Sequence, residues 1–525
     1  MCHCCFSSGT AAHLLANEII ERQPAVLPGH ALYGRTSPYP IAVPRSGGEV
    51  VGEAVRIRDE EVGAVLAALD EYEGDEYVRV VADLAIDGHH RRRIRVGGET
   101  TRAIRRKGTD PLRGLVRSWV GRTCDNALMT DRADCEAADQ ADPLAALRQR
   151  FTLPEGVIYL DGNSLGALPI NVPARVGATV VEEWGRDLIT SWNRHGWAEL
   201  PHRVGDKIAR IIGTEPGTIV ASDSTTVNLF KVVSAALELT DRTVVLSDSG
   251  NFPTDLYAMS SLAELRVVAH DEIPAAITPD VGVVALTHVG YSTGRMHDMA
   301  AVTEAAHRAG ALMVWDLAHS AGAMDLELGD ADFAIGCGYK YLNGGPGAPA
   351  FVYVRPDRQA EFHNPIRGWF GHAAPFEFAL DFAPVDGVAR AGVGTPHILS
   401  LVALDAALDV FDGVDLAAVR SKSVALTDLF GDLVDGLGIP IVSPREALRR
   451  GSQVCLSHSD GYAIVQALIA RGVIGDFRVP DVLRFGFAPL YIRFVDVFDA
   501  VTVLAEVLDS GAFNEPRHSV RNPVT

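Results

Sequence analysis

From about residue 129 onward, Ala-rich segments with helical spacing alternate with short apolar runs at 243–246, 265–269, 281–287 and 311–315. The run Val281-Gly282-Val283-Val284-Ala285-Leu286-Thr287 has no polar alternation, which predicts a buried strand. Regular βα alternation predicts an α/β fold with a mostly parallel sheet covered by helices. In open sheets of that kind ligands sit beyond the carboxyl ends of the strands. Polar residues just after each apolar run are therefore the first candidates for chemistry.

The preceding text has a different rhythm. Residues 9–96 read as a small β-rich unit, with strand character in Glu49-Val50-Val51-Gly52-Glu53-Ala54-Val55 and in Tyr77-Val78-Arg79-Val80-Val81. Between these, Val62, Val65, Leu66 and Leu69 recur at helical spacing, so 60–69 is predicted as a helix. Residues 97–128 show no period and contain Arg105-Arg106-Lys107-Gly108, the pattern of a linker. The expected division is a first domain at 1–96, a linker at 97–128 and a second domain at 129–525. The basic run His89 to Arg93 reads as a solvated strand or loop face rather than a binding patch.

Composition narrows the function classes. With 525 residues and 47% hydrophobic content the chain can bury a large core. No stretch reaches the ~18–20 uninterrupted apolar residues of a membrane span, and residues 1–10 lack a basic segment followed by an apolar one, so a cytoplasmic location is expected. A net charge of −20 argues against nucleic acid or anionic membrane as a partner. Seven cysteines are too sparse for a disulfide framework. Cys2, His3, Cys4 and Cys5 cluster, but no second ligand pair follows at finger spacing, so no metal is expected.

Four constellations carry candidate chemistry. In Val314-Trp315-Asp316-Leu317-Ala318-His319-Ser320 an apolar run delivers an acid, with a histidine three residues later. Such an acid caps turns; it also suits the protonated ring nitrogen that a pyridoxal-type electron sink requires. Lys340 lies in Gly336-Cys337-Gly338-Tyr339-Lys340-Tyr341-Leu342-Asn343-Gly344-Gly345, among glycines and aromatics with almost no charge near it in sequence. Those surroundings predict a disfavoured ammonium form, which suits imine formation. The apolar strand expected at 349–354 argues against a merely superficial lysine, and the lysine precedes the glycines, so this is no nucleotide P-loop. In Ser222-Asp223-Ser224-Thr225-Thr226-Val227-Asn228 small hydroxyl residues precede a helix running through Phe230 and Leu237. They can cap that helix, seat a phosphate, or both. Asn251-Phe252-Pro253-Thr254-Asp255 again follows a strand; Phe252 is placed either to stack on a cofactor ring or to fill the core.

Taken together, these segments resemble kynureninase, of pyridoxal-phosphate (PLP) fold type I, over about 129–510. The resemblance rests on Tyr159-Leu160-Asp161-Gly162-Asn163-Ser164-Leu165-Gly166, Phe252-Pro253-Thr254-Asp255, Asp316-Leu317-Ala318-His319, Tyr339-Lys340-Tyr341-Leu342-Asn343 and Gly368-Trp369-Phe370-Gly371-His372, which follow the family's order. It implies a large domain with a small α/β C-terminal domain from about 400, and a homodimer that shares its active sites. It implies that Lys340 anchors PLP, that Asp316 pairs with the ring nitrogen and that His319 sits in the same pocket. Phe252 would stack on the ring beside Pro253, Thr254 and Asp255. Thr225 and Thr226 would bind phosphate, Tyr339 would reach phosphate and move protons, and Thr287 would be a further neighbour of the cofactor. Trp369 and Thr395 would come from the other subunit. Arg484 would clamp the substrate carboxylate, a task suited to a forked guanidinium. Trp197, Gly394 and Thr395 would line the aryl pocket, in the pattern that favours kynurenine over its 3-hydroxy form. The implied reaction is hydrolysis of L-kynurenine to anthranilate and L-alanine in tryptophan catabolism. An aminotransferase is the runner-up. A cysteine desulfurase would need a mobile nucleophilic thiol, and Cys337 and Cys455 read as small buried residues.

Residues 9–96 resemble the γ-glutamylcyclotransferase family through Gly29-His30-Ala31-Leu32-Tyr33, Val51-Gly52-Glu53 and Leu69-Asp70-Glu71-Tyr72-Glu73-Gly74. The resemblance implies Glu73 as a general base, although an acid in a turn is commonly just solvated. The family's carboxylate-binding tyrosine loop is replaced by Phe6-Ser7-Ser8-Gly9-Thr10-Ala11, so a degenerate enzyme or an interaction module competes with an active one. Met129 begins text that looks like a natural start of the kynureninase family.

Overall fold

The computed structural model describes residues 19–33, 41–57, 82–86, 90–94 and 131–521. The chain separates into two compact units, Met1–Leu128 and Met129–Thr525. In the first, strands β1 (Ile19–Tyr33), β2 (Ile41–Ile57), β3 (Ala82–Ile86) and β4 (His90–Ile94) form a sheet in the order β2-β1-β3-β4. All three pairings are antiparallel. The strand expected at 49–55 falls inside β2, and the basic run overlaps β4. The strand expected at 77–81, the helix at 60–69, Glu73, the Cys2/His3/Cys4/Cys5 cluster and the linker at 97–128 lie outside the described residues.

The second unit is built on a seven-stranded sheet. Its strands are β5 (Ile219–Ala221), β6 (Val244–Asp248), β7 (Glu264–Val268), β8 (Val281–Thr287), β9 (Leu312–Asp316), β10 (Phe333–Cys337) and β11 (Ala350–Val354). The order is β7-β6-β8-β9-β10-β11-β5. Only β11 runs against the others, pairing antiparallel with β10 and β5. The uninterrupted apolar runs are explained by burial on both faces. Val284, Leu286, Met313 and Trp315 point into one core, while Val283, Ala285, Val314 and Ile335 point into another. Alternation along each strand assigns successive residues to opposite cores. Each such fully buried large side chain contributes about 1.5–3 kcal/mol.

Because the neighbouring strands are parallel, their carboxyl ends share one rim. Helix α1 (Thr225–Glu238) leaves that rim after β5, and α2 (Pro253–Ser260) leaves it after β6. The turn into α1 passes through Asp223, a non-glycine residue at φ +50°. Its carbonyl accepts the Ala350 N–H at 2.9 Å, while Ser222 N–H donates to the Ala350 carbonyl at 2.9 Å. The antiparallel strand thus fixes the start of α1.

A smaller antiparallel sheet follows, β12 (Gln453–Ser457), β14 (Val482–Gly486) and β13 (Asp476–Arg478), in that spatial order. It packs with α3 (Leu416–Val434), α4 (Gly461–Ile469) and α5 (Phe494–Ser510). The segment before the large sheet returns to this region: Gly486 N–H donates to the Leu160 carbonyl at 2.7 Å, and Leu160 N–H donates to the Ile474 carbonyl at 2.7 Å. Asp161 to Gly166 are thereby laid along the end of β14 and across the rim of the large sheet. No helix among the described residues is long and apolar enough to cross a membrane.

Candidate active site

The chain after β10 turns at Gly338 and presents Lys340 at the rim. Gly166 N–H donates to the Tyr339 carbonyl at 2.8 Å. A Cβ on Gly166 would meet the Lys340 carbonyl at 2.3 Å, so the last glycine of the Asp161–Gly166 motif is what lets that loop lie on the lysine segment. Lys340 Nζ is 3.0 Å from His319 Nε2. His319 is buried; burial first, and the Lys340 charge second, push its pKa well below the usual value. A neutral His319 therefore accepts from the lysine through Nε2 and carries its proton on Nδ1.

The charge-poor setting expected for Lys340 holds along the sequence but not in space. Folding brings the Asp316 and Asp255 carboxyls to it. Burial raises the Asp316 pKa, and the Lys340 charge opposes that rise. Asp255 is pushed well above its usual value by burial and by Asp316, again opposed by Lys340. Asp316 closes β9, and its Oδ1 accepts the Ala318 N–H at 2.9 Å, so it serves as a turn cap and as a site acid at once. Thr287 Oγ1, at the end of β8, lies 3.3 Å from Asp316 Oδ2.

At the start of α1, the Ser224 hydroxyl accepts the Val227 N–H at 3.4 Å. Capping by Ser224 leaves Thr225 and Thr226 at the mouth of a helix whose N-terminal dipole favours an anion. Phe252 is not a core residue: it is 47% exposed, with its edge toward Tyr291 at 5.2 Å between ring centroids. Tyr339 is half-buried, and burial raises its phenol pKa, so it stays protonated through neutral pH.

A cavity of about 220 Å³ gathers Thr225, Thr226, Phe252, Asp255, Thr287, Asp316, His319, Tyr339, Lys340 and Arg484. Pro253 and Thr254 lie in the first turn of α2, outside this lining. Trp369 sits in the short turn Trp369–Gly371, edge-on to Phe370 at 4.7 Å. Trp197 is buried and donates its indole N–H to Glu183 Oε2 at 2.8 Å. Thr395 and Gly394 line a separate cavity beside Asp223 and His397. None of Trp197, Trp369, Gly394 and Thr395 lines the cavity that contains Lys340.

The gathered residues fit PLP. Asp255 Oδ2 and His319 Nδ1 are buried without a hydrogen-bond partner among the described residues, as expected where a polar ring belongs. The helix mouth with Thr225 and Thr226 suits its phosphate, Asp316 its pyridinium nitrogen, the open face of Phe252 its ring, and Lys340 its aldehyde.

Arg484, on β14, is 2% exposed and held by Asp476: Nε donates to Oδ1 at 2.8 Å, and Nη2 donates to Oδ2. Nη2 also donates to Ser164 Oγ at 2.5 Å, and Nη1 donates to the Tyr291 carbonyl at 3.0 Å. Asp476, Arg478, Ser164 and Asp161 had no assigned role in the sequence. The available signal was alternation: Asp476 and Arg478 share a strand face and run back opposite Arg484 through the Val479-Pro480-Asp481 turn.

Asp161 titrates near neutrality. Burial first, and Asp476 second, push its pKa up to about 7, with Arg484 opposing. The folded state therefore holds this proton at pH values where the unfolded chain has released it, so stability falls as pH rises from about 4 toward 7. Asp161→Asn should flatten that slope and be more stable than the parent at pH 8. Denaturant titrations of both proteins at pH 5 and pH 8 measure it; an equal slope in both would refute the assignment.

Comparison places this site in a known class. A cysteine desulfurase from Thermococcus onnurineus NA1 shares the fold with a TM-score of 0.60 and 19% identity, covering 70% of this chain and 98% of that one. A cysteine desulfurase from Escherichia coli does so with a TM-score of 0.59 and 22% identity, covering 70% and 98%. The chain is a PLP-dependent enzyme of fold type I. Residues 419–504 match the family described as Kynureninase C-terminal domain. A kynureninase of Pseudomonas fluorescens is 50% identical over 416 residues, 76% of this chain and 100% of that protein. One from Burkholderia pseudomallei is 48% identical over the same coverage. The chain belongs to the kynureninase family. Its residues 7–96 match the family described as Gamma-glutamyl cyclotransferase, AIG2-like. The likeness to desulfurases is one of fold alone: Cys337 and Cys455 are buried, and burial raises both thiols, Cys455 to about 11.

Proposed function

We propose that the second unit hydrolyses L-kynurenine, and 3-hydroxykynurenine as a further substrate, to anthranilate or 3-hydroxyanthranilate and L-alanine. The observation that carries this reading is Lys340 and Asp316 in one cleft with Arg484, in a chain half-identical to a kynureninase. When bound, PLP supplies an electron sink for negative charge developing at the substrate Cα. Arg484 binds the α-carboxylate and so aligns the Cα–H bond with Lys340. Lys340 Nζ takes that proton as general base, steadied by His319 Nε2. Asp316 would pair with the ring nitrogen of the bound cofactor and keep it protonated. Water adds to the γ-carbonyl, the Cβ–Cγ bond then breaks to release anthranilate, and Tyr339, held as a phenol by burial, gives its proton to the Cβ that keeps the bonding pair.

The first unit is read as a cyclotransferase-derived module without turnover, since the family's carboxylate-binding tyrosine loop is missing from its opening residues. One set of incubations tests both assignments on the full chain. L-kynurenine should yield anthranilate fluorescence and no keto acid, and a γ-glutamyl-amino acid should yield no 5-oxoproline. Keto acid without anthranilate would instead mark an aminotransferase.

The enzyme is further read as a homodimer of the cytoplasm. Support for the dimer comes from exposed apolar side chains close together in the chain: Val181, Trp184 and Ile189 are 66%, 56% and 78% exposed. Trp369 and Thr395, outside the Lys340 cavity of their own chain, are then available to a second copy's cleft. Free thiols at Cys135, Cys337 and Cys455 suit a reducing compartment.

A further inference from the structure

Arg484 cannot grip a carboxylate unaided. A guanidinium has five N–H donors, and a bidentate grip needs two that lie parallel. Four of the five on Arg484 are engaged, by the two Asp476 oxygens, Ser164 and the Tyr291 carbonyl. One is left for a ligand.

Arg478 stands beside it on the same face of the small sheet. The register pairs Asp476 with Arg484 and Arg478 with Val482, so the side chains of 476, 478 and 484 leave the sheet on one side. Asp476 serves both cations: its Oδ2 is 2.6 Å from Arg478 Nη2 while its carboxylate holds Arg484. Arg478 is far less enclosed than Arg484, with a side chain 35% exposed against 2%, and it lines the cavity that contains Lys340. Its other contacts are the Phe477 carbonyl, from Nη1 at 3.2 Å, and Ser164 Oγ, from Nη2 at 3.4 Å, so Nε–H and one Nη1–H are not taken up by these partners.

The charges agree with this placement. Two guanidiniums and Asp476 leave one net positive charge on this face of the small sheet. One carboxylate neutralises the group; with only Arg484, Asp476 would already have cancelled the site.

We propose that Arg478 is a second binding residue for the α-carboxylate of the amino-acid substrate, gripping it jointly with Arg484 across their shared counter-ion Asp476. This rests on reading the cleft as an amino-acid site and deepens that reading.

The test uses the PLP-loaded full chain and Arg478→Gln, with Arg478→Lys as the variant that keeps the charge. Binding of L-alanine and of L-alaninamide is followed by the change in cofactor absorbance, and KM and kcat are measured for L-kynurenine. Arg478→Gln should weaken L-alanine binding and raise the kynurenine KM on the order of 10-fold or more, with a smaller effect on kcat, as loss of a ground-state charge contact does. L-alaninamide affinity should change little, and Arg478→Lys should restore part of the loss. Unchanged L-alanine affinity in a cofactor-loaded Arg478→Gln protein overturns the inference, as does an equal loss for acid and amide. If the parent enzyme bound L-alanine but released no anthranilate, the reaction assignment would fall while the alanine titration still decided the role of Arg478.

Discussion

Lys340→Ala should abolish the absorbance band of the lysine-linked cofactor and reduce turnover of L-kynurenine by at least ~10³-fold, the combined loss of the covalent anchor and the general base. The side chain is partly exposed at a rim, so its removal opens no large cavity and the protein should fold. Loss of the Lys340 charge removes the one cation that opposes the raised pKa of Asp316 and of Asp255, so both carboxyls should take up protons more readily. His319, relieved of that neighbouring charge, should move up toward its usual value. A small primary amine that enters the space should restore part of the turnover. Retention of the band or of full activity in Lys340→Ala would remove the basis of the site assignment.

Asp316→Asn should separate anchoring from electron withdrawal. The amide keeps the shape of the side chain and can still accept the Ala318 N–H, so the β9 turn persists. Lys340 is untouched, so the absorbance band should remain. The ring nitrogen, however, loses its anionic partner, and kcat should drop ~10²–10³-fold, the scale found when one preorganised charge partner is deleted. Stability should move the other way. Burial raises the folded pKa of Asp316, so the parent loses stability as pH rises above the ordinary carboxylate range. A neutral residue escapes that loss, and the variant should resist denaturant better than the parent at pH 8 when no cofactor is bound. Cofactor absorbance, kcat and apoenzyme denaturation together give the check; a kcat within threefold of the parent's would sink the role given to Asp316.

The cofactor side of the cleft was legible because each element announces itself locally. Asp316 ends an apolar run, Thr225 and Thr226 open a helix after another, and Lys340 stands in a glycine-rich turn after a third. A parallel sheet then brings all three to one rim without further instruction. The substrate side was less legible because it is made by register. Nothing in Asp476-Phe477-Arg478 identifies a strand of three residues, and its meaning appears only when β13 is laid against β14. Asp161 was visible inside a motif, but its pKa is raised by burial first and then by Asp476, more than 300 residues away in sequence. Lys340 shows the reverse error: neutral sequence neighbours concealed two carboxyls, one from the end of β9 and one from α2. Trp369 and Thr395 do not line the Lys340 cavity within a single chain, and the resemblance expects them from a second copy.

The cleft is assembled from parts of the chain that are made at different times. Residues that face the cofactor run from Thr225 to Lys340, whereas the carboxylate grip joins Ser164 to Arg484 across 320 positions. Arg484 lies 144 residues beyond Lys340. At ~5–20 residues per second a ribosome takes roughly 7–30 s to cover that distance. During that interval a nascent chain can complete its phosphate seat and its lysine while having no means to recognise an amino acid. The residues that would seat a cofactor and those that would recognise an amino acid are thus completed at separate times during synthesis.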